Sequence, residues 1–373
     1  MGFRHVGCVR VNRVRTMTLD HVECVHQSAN DRCSAIARRW AETTFLNAGT
    51  PEERSADFSH TVSTPTGCVA ITSDGIGTKV EIAERVERYD TLGFDLLAMV
   101  VDDLVAGCAR PIALSNILDV DRFDEETIDQ LMKGLAAAAR SAGVVVAGGE
   151  IARLGSRICG YGGGIHINWC ATAIGIPWTK SVREAREPQA GDTLIALASD
   201  GFRSNGFTLA RSILESHLGE AWHRQPATPG RSWGECLLTP SRIYAPVIAA
   251  MRSEQLPVIG GVHITGGGIA GNMPRILKSK PLHANFSDVW PPHPSMVELG
   301  KMGGIVPKML YEQWNMGTGF VLVVPPEFAD ASVAVASRCG VHARVAGLLQ
   351  HGVGVSVDAS AWGMGCLSYG VER

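Results

Sequence analysis

Residues 68–120 read CVAITSDGIGTKVEIAERVERYDTLGFDLLAMVVDDLVAGCARPIALSNILDV, and the alternation inside this stretch decides the fold. CVAITS (68–73) is a short apolar run with β-branched members that stops at Asp74-Gly75, the pattern of a strand entering a turn. Residues 92–106 have the length and apolar density of a buried helix, although they carry Asp95, Asp102 and Asp103. A second strand pattern follows at 112–120 and an Ala- and Leu-rich helix at 125–142. A short buried strand at 144–147 leads into Gly148-Gly149-Glu150, and residues 165–176 read as a further strand. Strand, helix, strand, helix, strand is the alternation of a mixed α/β domain.

Working outward, the segment 178–191 is charged and contains Pro, which reads as a domain boundary. Beyond it, strands are expected at 193–198, 258–263, 320–324 and 343–348, and helices at 205–214, 241–252, 268–277 and 327–338. Towards the N-terminus the signal weakens: residues 28–47 are read as one or two helices, and the stretch after them as loop. The expected organisation is an N-terminal arm (1–60), a first α/β domain (61–180), a second (190–350) and a C-terminal tail (351–373). Length agrees, since 373 residues at about 100–200 per domain make two or three domains.

Composition excludes several classes. Hydrophobic residues at 45% against 19% charged are enough for a large core, so the chain is not a disordered one. A net charge of −3 leaves no basic excess to neutralise a phosphate backbone, which argues against nucleic-acid binding. No apolar run reaches about 18 residues, so no membrane span is expected. The basic stretch up to Met17 lacks an apolar segment behind it and reads as an unstructured arm or an overextended start rather than a secretory signal. The ten cysteines are scattered without a CxxC, as in a protein of the reducing cytoplasm.

Five groups of residues can carry chemistry. Ser73-Asp74-Gly75-Ile76-Gly77-Thr78-Lys79 follows a strand; its glycines let backbone N–H groups approach an anion, Lys79 adds charge and Asp74 can hold a metal. It is not a Walker A loop, and it also reads as an ordinary turn. Asp95, Asp102 and Asp103 lie about two helical turns apart in an apolar helix. Buried carboxylates there need a partner, and oxygen ligands suit Mg²⁺. Glu150 closes a buried strand and either enters a site or is solvated. Ser204-Asn205-Gly206 precedes a helix, where capping is the plainer reading. Finally, His263-Ile264-Thr265-Gly266-Gly267-Gly268 opens a helix with three glycines, which suits phosphate. His263 reads either as a general acid or base or as a structural histidine.

In order and spacing, these motifs resemble the aminoimidazole ribonucleotide synthetase family, the phosphoribosylformylglycinamidine cyclo-ligases. The resemblance runs from about residue 68 to 350 through SDGIGTK (73–79), DTLGFDLLAMVVDDLVAGCARP (90–111), GGE (148–150), GDTLIAL (191–197), SNGFTLAR (204–211), LLTPSRIY (237–244), HITGGGIAGNMPRIL (263–277) and WNMGTGF (314–320). It implies two α/β domains and a homodimer in which strands of both N-terminal domains form a β-barrel, with ATP in a cleft near the interface. It implies Mg²⁺-ATP-dependent phosphorylation of the formyl oxygen of formylglycinamidine ribonucleotide, a phosphate-bearing small molecule, followed by ring closure to aminoimidazole ribonucleotide. By the same resemblance Asp74, Asp103 and Glu150 hold Mg²⁺ and nucleotide, and Lys79 faces phosphates. Gly75, Gly77, Thr78, Ser204, Asn205 and Gly206 line the nucleotide cleft. His263, Thr265, Gly266, Gly267 and Gly268 meet the substrate phosphate or the reacting amide, with Asn315 and Gly317 nearby. His263, Lys79 and Asp103 are the expected catalytic residues.

The chain also departs from the family pattern. The N-terminal Gly-Gly-Phe-Gly loop that closes over ATP has no counterpart in residues 20–67. Asp102 stands for an Asn, Cys108 for a Gly, Ile151 for a Thr and Arg203 for a His. His166-Ile167-Asn168 stands for an Asp-Tyr-Asp. Besides the cyclo-ligase itself, a paralogue activating another amide and a non-catalytic nucleotide-binding relative are therefore carried as alternatives.

Overall fold

The computed structural model describes residues 32–44, 58–178, 186–277 and 280–370. The chain divides into two compact units, Met1–Pro51 and Glu52–Arg373. In the first, a helix runs over 32–42, inside the stretch 28–47 where helix was expected. The basic segment up to Met17, and much of 20–67, lie outside the described residues.

In the second unit, the N-terminal half begins with strands β1 (His60–Thr64) and β2 (Gly67–Gly75), followed by helices α1 (Val80–Val86) and α2 (Leu92–Ala106). Strand β3 (Ala109–Val120), helix α3 (Glu125–Ala142) and strands β4 (Val145–Arg153) and β5 (Ile167–Pro177) complete it. The strand order is β1-β2-β5-β3-β4, with β3 and β4 parallel and the remaining pairs antiparallel. Asp124 caps α3 by accepting from the Thr127 amide, and Gly143 ends it in the left-handed conformation. α2 and α3 cross at glycines: a Cβ on Gly93 would collide with the backbone of Gly134 and Leu135. That close crossing lets α2 bury Leu96, Leu97, Val100, Val101 and Leu104 completely or nearly so.

Period-two alternation gives this sheet two distinct faces. Ala70, Leu114, Leu118, Trp169, Ala171 and Ala173 are buried on the helix-covered face. Ile71, Ile117, Ile174 and Ile176 stand exposed on the other, together with Ser73 and the half-buried Thr172. An uncovered apolar sheet face of this kind marks an interaction surface.

The C-terminal half holds a second sheet. Its elements are β6 (Thr193–Ala198), α4 (Phe207–Leu218), β7 (Pro226–Thr228), β8 (Arg231–Ser232), α5 (Trp233–Leu237), α6 (Ala245–Ser253) and β9 (Gly260–His263). Then come α7 (Gly268–Asn272), α8 (Pro274–Leu277), β10 (Leu282–Phe286), α9 (Pro294–Met302), α10 (Pro307–Gln313), β11 (Thr318–Val324), α11 (Ala329–Arg338), β12 (Ala343–His351), β13 (Gly354–Asp358) and β14 (Cys366–Tyr369). The sheet order is β14-β13-β10-β12-β6-β11-β9. β11 is buried along its whole length, hence its unbroken run Phe320–Val324.

Two expectations need correction here. The helix expected over 268–277 is two short ones, because Pro274 cannot donate to a continuing helix and instead starts α8. The segment set apart as a C-terminal tail supplies β13 and β14, which pair with β10 and with each other. Val355 and Val357 alternate inward on β13, and that short pattern is what the sequence reading passed over.

Candidate active site

The three acids of α2 have separate fates, although helical spacing brings them onto neighbouring faces. Asp95 points to the turn after β2. Its Oδ1 accepts from Lys79 Nζ at 2.7 Å and from the Ser241 amide and hydroxyl at 2.9 and 2.5 Å. Lys79 also donates to the Thr239 carbonyl at 2.6 Å and lies 5.6 Å from the Phe207 ring. Both charged side chains are fully buried. Burial pushes the Lys79 ammonium down from its ordinary range, and Asp95 pulls it back up. Lys79 is thus consumed in a clasp between the two halves and does not face a phosphate site, contrary to the sequence expectation. The reason is local: the 3₁₀ turn Gly77–Lys79 folds the side chain under α2 rather than outward.

Asp102 also looks into the C-terminal half. Its Oδ1 accepts from the amides of Tyr244 and Ala245 at 2.8 and 3.0 Å, capping α6, and its Oδ2 accepts from Arg203 at 3.1 Å. The same Arg203 nitrogen reaches His263 Nε2 at 2.7 Å, and His263 Nδ1 lies 2.8 Å from Asp103 Oδ1. A guanidinium can only donate, so Nε2 accepts. Burial, reinforced by the charge of Arg203, pushes His263 down to about 3, so the ring is neutral. Nδ1 then carries the proton and donates it to Asp103. With both nitrogens engaged and the side chain fully buried, His263 orients Asp103; it is not a free acid or base as expected from the sequence.

Asp103 and Asp74 form the acid pair of the site. Burial pushes Asp103 up to about 7, against the pull of Arg275, Arg203 and the Thr72 hydroxyl. Burial pushes Asp74 up to about 6, the Gly75 amide pulls it down and Asp103 pushes it up further. Thr72 and Asp74 project to the α2 side of β2, as residues two apart on a strand must. Glu150 does not join them. It pairs with Ile117 on β3, one register row beyond the Asp74–Ala171–Asn116–Gly149 row. It therefore lies on the opposite, exposed face, three strand spacings or about 14 Å across the sheet. Among the described residues no three His, Cys, Asp or Glu side chains gather into a metal-binding group.

The glycine motifs converge on the same region. Gly266 faces the Asn205 amide group, since a Cβ there would lie 3.5 Å from Asn205 Nδ2. Asn272 holds the loop by donating to the carbonyls of Gly266 and Gly268 at 3.1 and 2.8 Å. Gly206 and Gly268 are both left-handed and both packed against the Tyr311–Trp314 segment, where any side chain would clash. Asn315 donates to the Gly201 carbonyl at 2.8 Å and accepts from the Gly317 amide, fixing that segment in turn. Thr78 meets Thr208 at 3.3 Å, so the Gly75–Gly77 turn abuts the start of α4. Ser204 Oγ and Asn205 Oδ1 are buried without a hydrogen-bond partner, and Thr265 reaches only Asn272, at 3.4 Å. Unpaired polar atoms beside amide-rich glycine loops are the chemistry of a site for a polar, anionic ligand.

The departures acquire neighbours. His166 Nδ1 lies 3.5 Å from Glu84 Oε1, and Asn168 donates to Asp119 Oδ2 at 3.1 Å, so an acid stands beside each position where a carboxylate is missing. Cys108 has φ +59, the conformation that the glycine of the resembled pattern adopts without strain. Arg203 and Arg275, absent from the expected site, are the functional-site residues that sequence reasoning missed. Their only signal was Arg203 standing where a His was expected.

Residues 56–176 match the family model described as AIR synthase related protein, N-terminal domain, and residues 189–359 match its C-terminal domain model. The phosphoribosylformylglycinamidine cyclo-ligase of Thermococcus gammatolerans is 35% identical over 290 residues, 78% of this chain and 82% of that protein. The enzyme of the same name from Synechococcus elongatus is 35% identical over 254 residues, 68% of this chain and 73% of that protein. Among solved structures, the hydrogenase maturation protein HypE in complex with ATP is similar with a TM-score of 0.55 at 17% identity. That likeness covers 83% of this chain and 87% of HypE, and it speaks to the fold alone.

Proposed function

The chain belongs to the AIR synthase related family, and from that premise we propose that it is the ATP-dependent cyclo-ligase that converts formylglycinamidine ribonucleotide to aminoimidazole ribonucleotide, releasing ADP and phosphate. The observation that carries the reading is convergence: the Asp74–Asp103 pair and the glycine loops at 75–77, 204–206 and 265–268 lie close together where the halves meet. This supports a nucleotide and a phosphate ester held side by side.

The residues present fit a divalent cation. Burial raises both carboxylates above the ordinary range, the charge of Asp103 adds to the rise at Asp74, and a hard cation bound to the two would offset that cost. Asp74 and Asp103 would hold Mg²⁺. When bound, the ion supplies charge neutralisation for the nucleotide phosphates. His263 keeps the Asp103 carboxylate turned toward Asp74 through its Nδ1–H. The amides of Gly266 and Gly267 would receive phosphate oxygens, the Gly268 amide being spent on the Thr265 carbonyl, with Thr265, Ser204 and Asn205 supplying side-chain hydrogen bonds. With no free acid or base among these groups, catalysis rests on positioning and electrostatics, as phosphoryl transfer allows.

A homodimer built on the open face of the first sheet follows from its exposed isoleucines. Glu150 would then serve at that interface. Ile174→Asp is expected to give monomers in sedimentation, whereas unchanged dimers would move the interface elsewhere. No helix among the described residues is long and apolar enough to cross a membrane; the proposed compartment is the cytoplasm.

The direct test is ADP release by purified protein with Mg²⁺ and ATP, with and without formylglycinamidine ribonucleotide. ADP and an aminoimidazole product, both dependent on the substrate, are expected. ATP binding without such turnover would instead favour a paralogue acting on another amide, and no ATP binding a non-catalytic relative.

A further inference from the structure

We propose that Arg203 is a positioning residue: by donating to His263 Nε2 it fixes the ring tautomer that turns Asp103 toward Asp74, and Asp102 is the counter-charge that allows an arginine to be buried there. The proposal rests on the reading of Asp103 as part of a Mg²⁺-nucleotide site.

Four side chains carry it. One terminal guanidinium nitrogen of Arg203 spends its two hydrogens on Asp102 Oδ2 (3.1 Å) and His263 Nε2 (2.7 Å). The other donates to the Arg242 carbonyl at 2.8 Å, and the plane lies 5.0 Å from the Tyr244 ring. The side chain is 2% exposed, so this geometry is held by packing on every side. The backbone is held as well, because Arg203 keeps φ +60, a conformation that a non-glycine residue retains only where its surroundings impose it. A donor with no acceptor character at Nε2 removes one of the two neutral tautomers of His263. What remains is Nδ1–H directed at Asp103.

The histidine of the resembled pattern does not perform this part. A neutral histidine at 203 has one N–H and cannot serve Asp102 and His263 together. An asparagine at 102 would leave the buried guanidinium without its hydrogen-bonded carboxylate, and breaking a buried ion pair by removing one partner is strongly destabilising. The two departures from the resembled family, Asp102 and Arg203, are therefore a single exchange of a neutral pair for an ionic one. The exchange crosses the boundary between the halves, since Asp102 lies on α2 and Arg203 precedes α4.

The test uses the full chain labelled with ¹⁵N-histidine, with the His263 ring signals assigned by comparison with His263→Gln. In the wild-type chain a neutral ring with protonated Nδ1 is expected, and protonated Nε2 overturns the proposal outright. Asp102→Asn/Arg203→Met removes both charges together. This variant is expected to lose the single tautomer and to bind ATP in Mg²⁺ at least about tenfold more weakly by calorimetry, the usual scale for removing an outer-shell partner. A folded double variant with an unchanged tautomer and unchanged affinity overturns the proposal, and if the variant does not fold the wild-type tautomer decides alone. Neither readout needs turnover: a chain that fails to make an aminoimidazole yet shows the predicted tautomer loses the proposed reaction and keeps this inference.

Discussion

Lys79 and Arg203 are both buried where the halves of this molecule meet, and they do opposite work. Lys79 comes from the N-terminal half and ends on Asp95 and the Thr239 carbonyl, and Asp95 in turn accepts from the Ser241 hydroxyl. Arg203 comes from the C-terminal half and ends, through His263, on the one acid of α2 that retains exposure, 15%. The first contact holds the halves together; the second reaches an acid that solvent can still touch. The sequence suggests the reverse, since a lysine after a glycine turn looks like a phosphate ligand and an arginine in a histidine's position looks like a loss. Motif chemistry identifies which residues gather but not which way each side chain folds.

Replacing the acid at the end of the second contact has the largest expected effect. Asp103→Asn should lower Mg²⁺-ATP turnover by about a hundredfold or more while leaving the melting temperature nearly unchanged, because it removes a ligand charge and little packing. Near-normal turnover would erase the distinction between the two contacts. Lys79→Met should do the converse, costing ~3–5 kcal/mol of stability by stranding Asp95, with little change in nucleotide affinity of the protein that folds. Chemical denaturation and calorimetry separate the two, and a stable variant with weak ATP binding would return Lys79 to the phosphates.

Proton linkage sharpens the contrast further. Asp74 and Asp103 stand at about 6 and 7 in the folded chain against an ordinary 3.8, so their protonation favours the folded state fully below pH 3.8. That contribution is lost as pH rises through 6 to 7. His263 works in the other direction, with a folded value of about 3 against 6.5: its contribution is complete above pH 6.5 and lost as pH falls through 3. Without divalent cation the melting temperature should therefore drop by a few degrees between pH 6 and 8, and Mg²⁺ should suppress that drop while releasing protons near pH 6.5. A flat profile without Mg²⁺ would remove the acid pair from the site.

The smallest effect concerns the end of the helix that carries all three acids. Cys108→Gly should relieve the left-handed strain at φ +59 and stabilise the chain by ~0.5–1 kcal/mol, visible as a small rise in denaturation midpoint. Destabilisation would mean that the thiol packs more tightly than the backbone strains.

Much of the fold was legible because periodicity reports burial. The alternation at 68–176 predicts β2, α2, β3, α3 and β5 in order, since their apolar faces are what the sheet and helices must hide; β4, expected as a short buried strand at 144–147, is instead an edge strand exposed along nearly its whole length, Val145–Arg153. The expected first strand of the second half, 193–198, coincides with β6. β13 and β14 are short and lie at an edge, which leaves them little pattern, and the apolar spacing of 268–277 runs on across Pro274, which divides it into α7 and α8. In the site, glycines were legible because positive φ at Gly77, Gly206, Gly267 and Gly268 needs them. Glu150 lies inside β4 rather than at a strand end, and its register row, one beyond that of Asp74, puts it on the open face of the sheet, which the sequence does not signal. Arg275 had no signal at all, since it reaches Asp103 from α8 through tertiary folding.

The ion pair between Asp102 and Arg203 also bears on how such a chain can be inherited. A recombination joint in the linker between the sheets would pass each half on with one partner only. A crossover with a relative bearing Asn and His at these positions would yield one hybrid with a stranded guanidinium and another with a stranded carboxylate. Both would fold poorly although each parent is sound. Gene exchange at that joint is penalised by electrostatics, and the two halves are expected to descend together.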